Sequence, residues 1–339
     1  ARRAMFGRGW SSTYDTGLAV DLDQGKVRFR AGDGQRLDFI RVDGEWQPGL
    51  GVRATLQEEA DHSFTITTRD QTVYDFDLSD RLSAITDRNG DATTLEWDAT
   101  GLIAVHDAAG RTISVDHDAS GLITALHLPD GHAIGFGYDG DLLTSVTNVN
   151  GGVTSYHYDA SERLDTETDP LGETVQSTTY GPDGRVSAQV DATGARSTFA
   201  WDPATETSTM TDANGGVWTD RYHDNVLVES TDPTGDSVSY TYDDNLDLVA
   251  KIDPAGVLTS YAYDADHHLT NETRQGVTPE TYAMTWSGEN LTRVVDPTGG
   301  VTERYYDSVG NLTAITSPGG GTVRIAHNGG LVSAITDPL

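Results

Sequence analysis

The sequence predicts an all-β fold built as an array of β-hairpins behind a β-rich N-terminal segment. Three observations predict it. A short aromatic–aspartate pattern recurs every 20 to 23 residues along most of the chain, and a fixed short period is typical of repeat arrays. The 37 glycines exceed the usual share of about 7%, as expected for many tight turns. Gly, Thr, Asp and Pro also recur too densely for a ten-residue amphipathic helix.

Residues 1–75 precede the repeats and are predicted to form a lead-in domain. Lys26–Trp46 indicates a hairpin with a Gly-Asp-Gly turn, and Ser63–Leu78 indicates a second hairpin. Phe6–Asp15 comes before both and fits no repeat. We expect this domain to template the first repeat, since repeat arrays need distinct ends.

Residues 76–339 are predicted to hold about thirteen repeats of about 21 residues. The shared pattern is Y-D-x-x-G-x-L-x-x-x-x-D-x-x-G, and the last repeat is incomplete, so we expect the chain to be part of a longer one. The repeats start at Phe76, Trp97, His117, Tyr138, Tyr158, Tyr180, Trp201, Tyr222, Tyr242, Tyr263, Trp286, Tyr306 and His327.

Each repeat is predicted to contribute two strands. In the repeat that starts at Trp286, the first strand covers about Asn290–Val295 and the second about Gly300–Tyr305. Alternate residues of the second strand fall on opposite faces, as a strand requires. A β-propeller remains an alternative, because two repeats supply the four strands of one blade.

The two strands of a repeat are joined by a turn of the type Asp-Pro-x-Gly. Proline fixes φ early in the turn, and glycine supplies the positive φ that closes it. The turn glycines named as structural positions are Gly172, Gly235, Gly256 and Gly299. Between repeats the chain turns at the tyrosine–aspartate corner, where the aspartate side chain is expected to accept hydrogen bonds from turn amides.

The aromatic residue of each repeat is interpreted as a packing residue. The named positions are Tyr138, Tyr158, Trp201, Tyr242, Tyr263, Trp286 and Tyr306. Seven tyrosines are expected to stack across neighbouring strands, although an exposed row of them would also suit sugar binding. They are Tyr240, Tyr242, Tyr261, Tyr263, Tyr282, Tyr305 and Tyr306.

The charge is strongly acidic and unevenly distributed. The formal net charge is −31, yet residues 1–53 carry nine Lys/Arg against seven Asp/Glu. The acidic excess therefore lies downstream, where it disfavours nucleic-acid binding. It favours solubility, with attraction of a cationic partner or Ca²⁺ as the second interpretation. No cysteine is present, and no apolar run is long enough for a membrane helix.

Catalytic, cofactor and metal sites are not expected. His267 and His268 are adjacent and would point to opposite faces of a strand, so they would not share an ion. His117 and His327 occupy the aromatic position of their repeats, and His157 is assigned to the same corner packing. Paired carboxylates such as Asp243–Asp244 and Asp21 with Asp23 are expected by chance among 53 acidic residues. No G-x-S-x-G, P-loop or dinucleotide motif occurs.

The tyrosine–aspartate repeat resembles the YD/RHS-repeat family, which includes bacterial Rhs and wall-associated proteins, toxin-complex shells and teneurins. The segment FGRGWSSTYDTGL, followed by VRFRAGDGQRLDF, resembles the region before the repeats in bacterial Rhs proteins. The resemblance implies a large spiralling sheet that forms part of a hollow shell. In bacterial members the shell encloses a C-terminal toxin domain, and self-cleavage at an Asp-containing motif separates this domain from the shell. Asp337-Pro338-Leu339 is interpreted as an ordinary turn, so no protease residue is assigned.

The resemblance implies a non-catalytic shell segment of a secreted or cell-surface polymorphic toxin. Its expected partner is a downstream cargo domain of the same polypeptide, and the acidic repeats would suit a basic cargo such as a nuclease. Secretion machinery or a cell-surface glycan are further partners, whereas nucleic acid and a membrane span are not expected. The alternative function is a surface-exposed module that binds carbohydrate or another cell.

Overall fold

The structure is a computed structural model that describes residues 4–328 and 331–338. Positions 1–3 of the predicted lead-in domain, and positions 329, 330 and 339 of the last predicted repeat, lie outside the described residues. The prediction of an all-β fold is confirmed, because the described residues form 32 strands and one short 3-10 helix, Thr13–Asp15.

The strands alternate with short turns along the whole described chain. They are β1 (Gly17–Asp21), β2 (Lys26–Arg30), β3 (Arg36–Val42), β4 (Glu45–Pro48), β5 (Ala54–Glu58), β6 (Phe64–Thr68), β7 (Val73–Phe76), β8 (Leu82–Thr86), β9 (Ala92–Trp97), β10 (Leu102–His106), β11 (Thr112–His117), β12 (Ile123–His127), β13 (Ala133–Asp139), β14 (Leu142–Thr147), β15 (Val153–Tyr158), β16 (Leu164–Thr168), β17 (Thr174–Tyr180), β18 (Val186–Asp191), β19 (Arg196–Asp202), β20 (Thr207–Thr211), β21 (Val217–His223), β22 (Val226–Thr231), β23 (Ser237–Tyr242), β24 (Leu248–Ile252), β25 (Leu258–Tyr263), β26 (Leu269–Arg274), β27 (Glu280–Ser287), β28 (Asn290–Val295), β29 (Val301–Tyr306), β30 (Leu312–Thr316), β31 (Thr322–Asn328) and β32 (Leu331–Thr336).

Strands β1 to β4 form a four-stranded antiparallel sheet, and β5 to β32 form one long antiparallel sheet of 28 strands. In the long sheet each strand pairs with its neighbour in sequence, because every connection is a short turn. The propeller alternative is wrong, since pairing in this sheet continues far beyond the four strands of a blade. The boundary at residue 75 stays a prediction. Strands β5 and β6 lie before it and β7 crosses it, and all three already pair within the long sheet.

The contacts divide the chain into two compact units. The N-terminal unit comprises Ala1–Asp87 and Asp91–Ser197, and the C-terminal unit comprises Arg88–Gly90 and Thr198–Leu339. The N-terminal unit contains the hydrophobic core, in which Phe29 and Phe39 are almost fully buried. Phe29 of the small sheet packs against Tyr74 of the long sheet, with ring centroids 5.3 Å apart.

The C-terminal unit has few buried residues. Its buried residues, among those described from 198 to 338, are Asp247, His268 and Ala314. Most other strand residues in this unit are partly exposed on both faces. Hydrogen bonds between strands and repeated side-chain contacts at the turns therefore contribute a larger share of its structure than a buried core does.

Candidate functional site

The repeated aromatic–aspartate corner is the feature that recurs in both units. In most repeats the aromatic residue ends its strand directly after a β-bulge. The register shifts between His157 and Tyr158, between Ala262 and Tyr263, and between Tyr305 and Tyr306. A bulge re-aims the side chain that follows it, so the ring turns toward the preceding repeat.

The polar atom of the ring then donates to a backbone carbonyl of the preceding repeat. The Tyr158 hydroxyl donates to the Leu143 carbonyl at 2.8 Å, and the Tyr263 hydroxyl donates to that of Leu248 at 2.9 Å. Equivalent bonds join Tyr138 to Ile123, Tyr180 to Leu164, Tyr306 to Leu291, Trp97 to Leu82, Trp286 to Leu269 and His327 to Leu312. We call this bond the corner bond.

The leucine of the repeat pattern, or Ile123 in its place, thus supplies the acceptor for the aromatic residue of the next repeat. The two residues are 15 to 17 positions apart in every corner bond. The contact therefore spans a complete hairpin. Among the remaining named positions, the rings of Trp201 and Tyr222 lie 5.9 Å apart, and burial raises the pKa of Tyr242.

The aspartate that follows the aromatic caps the turn. Asp264 Oδ1 accepts from the backbone N–H of Asp266 at 3.0 Å and of His268 at 2.9 Å. The His268 backbone amide and, to a smaller extent, other hydrogen bonds lower the pKa of Asp264 below its ordinary value. Asp307 accepts equivalent bonds from Val309 and Asn311, so the same geometry recurs.

The opposite turn of each repeat has the same design. Asp296 Oδ1 accepts from Thr298 N–H and Gly300 N–H at 2.8 Å each, and the Gly299 N–H donates to the Asp296 carbonyl. Gly299 has φ +85°, a conformation that favours glycine. The other named turn glycines have φ +86° at Gly172, +89° at Gly235 and +78° at Gly256.

An arginine covers the aromatic ring in two corners. Arg81 lies 5.5 Å from the centroid of Trp97, and Arg163 lies 4.4 Å from that of Tyr180. Each arginine also donates to the corner aspartate four residues earlier. This aspartate–arginine–ring arrangement combines an ion pair with a cation–π contact.

His268 takes the arginine position in its own repeat. The ring is buried and stacks on Trp286, with centroids 4.8 Å apart. Its two nitrogens lie 3.2 Å from Asp264 Oδ2 and 3.0 Å from Glu289 Oε2. Both nitrogens are thus held by carboxylates of two successive corners.

The prediction that His267 and His268 lie on a strand is wrong. Both lie in the turn before β26, where His267 has φ +63°. His267 Nδ1 lies 2.5 Å from Asp247 Oδ2. Ligand atoms of Asp264, Asp266 and His268 lie within 4.8 Å of one another. The Asp264 and His268 side chains also make hydrogen bonds within the corner turn and to Glu289.

Two other predictions about side chains are also corrected. His157 does not join the corner packing, because it is exposed and its Nδ1 lies 2.6 Å from Asp165 Oδ1. The seven tyrosines do not form one row. Tyr240 pairs with Lys251 on one face of the sheet, whereas Tyr305 pairs with Ala314 on the other.

The corner chemistry is structural in kind. Asp243, once considered with Asp244 as a carboxylate pair, accepts hydrogen bonds from Asn245 N–H and Asp247 N–H at 2.9 Å each. Aspartates at both turns of a repeat accept hydrogen bonds from backbone amides in the same way. These hydrogen bonds fix the turn backbone and position the aromatic rings.

Family models match three parts of this chain. Residues 60–199 match the Teneurin YD-shell model, and residues 242–276 and 287–322 match the RHS Repeat model. Residues 1–39 match a domain of unknown function, DUF6531. The chain is a member of the YD/RHS-repeat family. This agrees with the aromatic–aspartate corners found in both units.

Curated relatives of this YD/RHS-repeat chain are much longer. It is 28% identical over 220 residues to the tRNA nuclease WapA of Bacillus subtilis (strain 168). It has the same identity to the tRNA3(Ser)-specific nuclease WapA of Bacillus spizizenii. Each alignment covers 62% of this chain and 9% of the relative, so the chain spans less than a tenth of the length of these relatives.

Solved structures with similarity to the chain include toxin complexes. A crystal structure of TcdB2-TccC3 without its hypervariable C-terminal region has 15% sequence identity and a TM-score of 0.41, covering 95% of this chain and 22% of that one. A Photorhabdus luminescens Tc holotoxin pore has 14% identity and a TM-score of 0.41, with coverage of 92% and 22%. No helix in the described part of this chain has the length and apolar character to cross a membrane.

Proposed function

We propose that this chain is a non-catalytic wall segment of an Rhs-type container that encloses a C-terminal toxin domain of the same polypeptide. The observation that carries the proposal is the corner bond, which recurs at eight aromatic positions and links each of those repeats to the one before. A wall needs extended area with uniform joints, and antiparallel hairpins joined in this way extend without a large core. The spiralling form of the sheet belongs to this proposal.

The enclosed domain is proposed to be a toxin, with a nuclease as one class. The curated relatives support this class by name, since they are tRNA nucleases, and this chain covers 9% of each. The wall itself carries no role in the cleavage chemistry under this proposal. We place the protein outside the cell or at its surface, because the family resemblance includes secreted bacterial proteins.

Protease protection in the natural gene product tests the container. We expect the downstream domain to resist a protease until the repeat sheet is unfolded. The control is the same domain expressed alone, which should be digested at the same protease concentration. Equal digestion of the domain in both contexts would contradict the proposal.

A glycan-binding surface module is the second candidate function. Half-exposed rings favour it, since Trp218, Tyr282 and Tyr305 are 44%, 43% and 48% exposed. Exposed aromatic rings are suitable platforms for sugars because they combine an apolar face with polar edges. A glycan array probed with this chain distinguishes the candidates: binding lost in Trp218→Ser would support the module.

A further inference from the structure

The charge of the C-terminal unit is divided between strands and turns. From Thr198 onward the strands carry six acidic and six basic residues, whereas the turns carry fifteen acidic residues and no basic one. The strands are therefore neutral as a group. The whole acidic excess of this segment lies at the edges of the sheet, where aspartates cap the turns.

One face of these strands is aromatic. Directly paired residues share a face, and by this rule Phe199, Met210 and Trp218 lie together. Tyr240 pairs with Lys251, and Tyr261 pairs with Glu272. The opposite face is rich in hydroxyl groups, as in the pairs of Thr209 with Thr219 and of Thr273 with Thr281.

Charges on the aromatic face also balance. The acidic residues on it are Asp220, Glu272 and Glu280, and the basic residues are Lys251, Arg274 and Arg304. Balanced, interspersed charges produce no strong field of one sign. The face therefore offers apolar area and hydrogen-bonding groups without selecting an acidic or a basic partner.

The same repeat position is covered in the N-terminal unit. Two residues before the corner aromatic, Phe136 packs on Phe6 at 5.0 Å and Tyr156 packs on Trp10 at 4.8 Å between centroids. Phe6 and Trp10 belong to residues 4–16, a segment with one basic and one acidic residue. An aromatic segment with no net charge thus already docks at this position, and its Arg8 pairs with the turn residues Asp141 and Glu162.

In the C-terminal unit the position two residues before the corner aromatic has the same character. In four repeats it holds Phe199, Tyr240, Tyr261 and Met284, each partly exposed, and in the other three it holds Asp220, Arg304 and Ile325. The pKa of Tyr261 is raised, mainly by burial and also by the charge of Glu272. These side chains are thus only partly buried, and contact with a further apolar side chain would bury the area that is still exposed.

We propose that this aromatic face docks a neutral polypeptide segment that carries aromatic side chains. The identity of that segment as the enclosed domain rests on the proposed container function. We expect charge on the turns to contribute less to docking, because those carboxylates lie at the sheet edges, and several of them, such as Asp264, Asp296 and Asp307, accept hydrogen bonds from backbone amides. The inference replaces the expectation that acidic repeats select a basic cargo.

Peptide binding to the 339-residue chain tests the inference without any cargo. The probes are a fluorescent peptide with the sequence of residues 4–16 and a lysine-rich peptide of equal length. We expect the aromatic peptide to bind with an affinity that changes less than about twofold between about 50 and about 500 mM NaCl, because screening acts on charges. Tighter, salt-sensitive binding of the lysine-rich peptide, or no binding of the aromatic one, would overturn it.

Variants locate the binding face. The double variant Tyr240→Ser, Tyr261→Ser should weaken binding of the aromatic peptide by at least about tenfold, since each lost ring removes apolar contact area. Tyr305→Ser on the opposite face is the matched control and should bind as the parent does. Tyr261→Phe keeps the ring and should retain binding, and circular dichroism checks that each variant is folded. Equal loss in Tyr305→Ser would count against the assigned face.

The two proposals fail in different ways. The inference would be overturned if the natural gene product encloses a basic domain and the 339-residue chain does not bind the aromatic peptide. The container function would then remain intact. A gene product that encloses no domain would overturn the container function, and peptide binding would still be measured on the chain alone.

Discussion

The hydroxyl of Tyr158 makes hydrogen bonds to the preceding repeat and to the N-terminal segment of residues 4–16. It donates to the Leu143 carbonyl at 2.8 Å and accepts from the Trp10 indole N–H at 2.8 Å. One oxygen atom therefore satisfies a backbone acceptor of the preceding repeat and a donor of the N-terminal segment. Both contacts lie within the N-terminal unit.

Removing this hydroxyl should destabilise the N-terminal unit. Tyr158→Phe leaves the Leu143 carbonyl and the Trp10 indole without this partner, and we expect a loss of about 2 kcal/mol in the free energy of unfolding. Tyr263→Phe removes only the bond to Leu248 and should cost about 1 kcal/mol. Chemical denaturation measures both. Tyr305→Phe is the control, since its exposed hydroxyl contacts Glu303; an equal loss there would contradict the account.

Adjacent glycines in one turn should respond differently to alanine. Gly320 has φ +82°, whereas Gly319 lies outside the left-handed region and a Cβ there would meet open space. Gly320→Ala should lower the free energy of unfolding by about 1–2 kcal/mol. Gly319→Ala should be neutral or slightly stabilising, because alanine restricts the unfolded chain. Thermal unfolding compares them, and equal effects would show that the turn geometry is wrong.

Capping aspartates should make stability fall in acid. The Thr298 hydroxyl, followed by backbone amides, lowers the pKa of Asp296 in the folded chain. Its contribution is thus complete above the ordinary aspartate pKa of about 3.9 and disappears as the pH falls through the lower, folded value. Asp296→Asn should reduce the slope of stability against pH below about pH 4.

Asparagine is a suitable replacement in that test. Asn148 already occupies the equivalent position of another turn and accepts from the Asn150 and Gly152 amides at 2.9 and 3.0 Å. Asp296→Asn should therefore fold normally at neutral pH, while Asp296→Ala should unfold at a lower temperature. An unchanged acid slope in Asp296→Asn would assign the pH dependence to other groups.

The His268 position should accept arginine. Arg81 and Arg163 cover the next aromatic ring from the equivalent position, so His268→Arg should change the free energy of unfolding by less than about 1 kcal/mol. His268→Ala removes the ring from Trp286 and leaves Asp264 and Glu289 without this partner. We expect a loss on the order of 2 kcal/mol, measured by chemical denaturation. Similar losses in both variants would refute the equivalence.

Much of the fold could be predicted from the sequence because the repeat is local. The strand Asn290–Val295 was predicted with its final bounds, since the turn residues on each side fix where a hairpin begins and ends. The capping role of the corner aspartate was predicted for the same reason, because an aspartate caps amides only two to four residues away.

Features that depend on register could not be predicted. The corner bond from Tyr158 to Leu143 requires the bulge before Tyr158, and a bulge shifts the register without a signal in residue type. His157 and Tyr305 were assigned wrongly because a shift of one position exchanges the two faces of a strand. The recurring leucine, 15 residues before the next aromatic, was the available signal for the corner bond.

The most direct test of the container is the mass of the natural gene product, measured under native and then denaturing conditions. We expect a second polypeptide to stay associated in the native measurement and to separate on denaturation, with a mass that corresponds to the downstream domain. A single uncut chain with no protected domain, or a partner lost under native conditions, would contradict it.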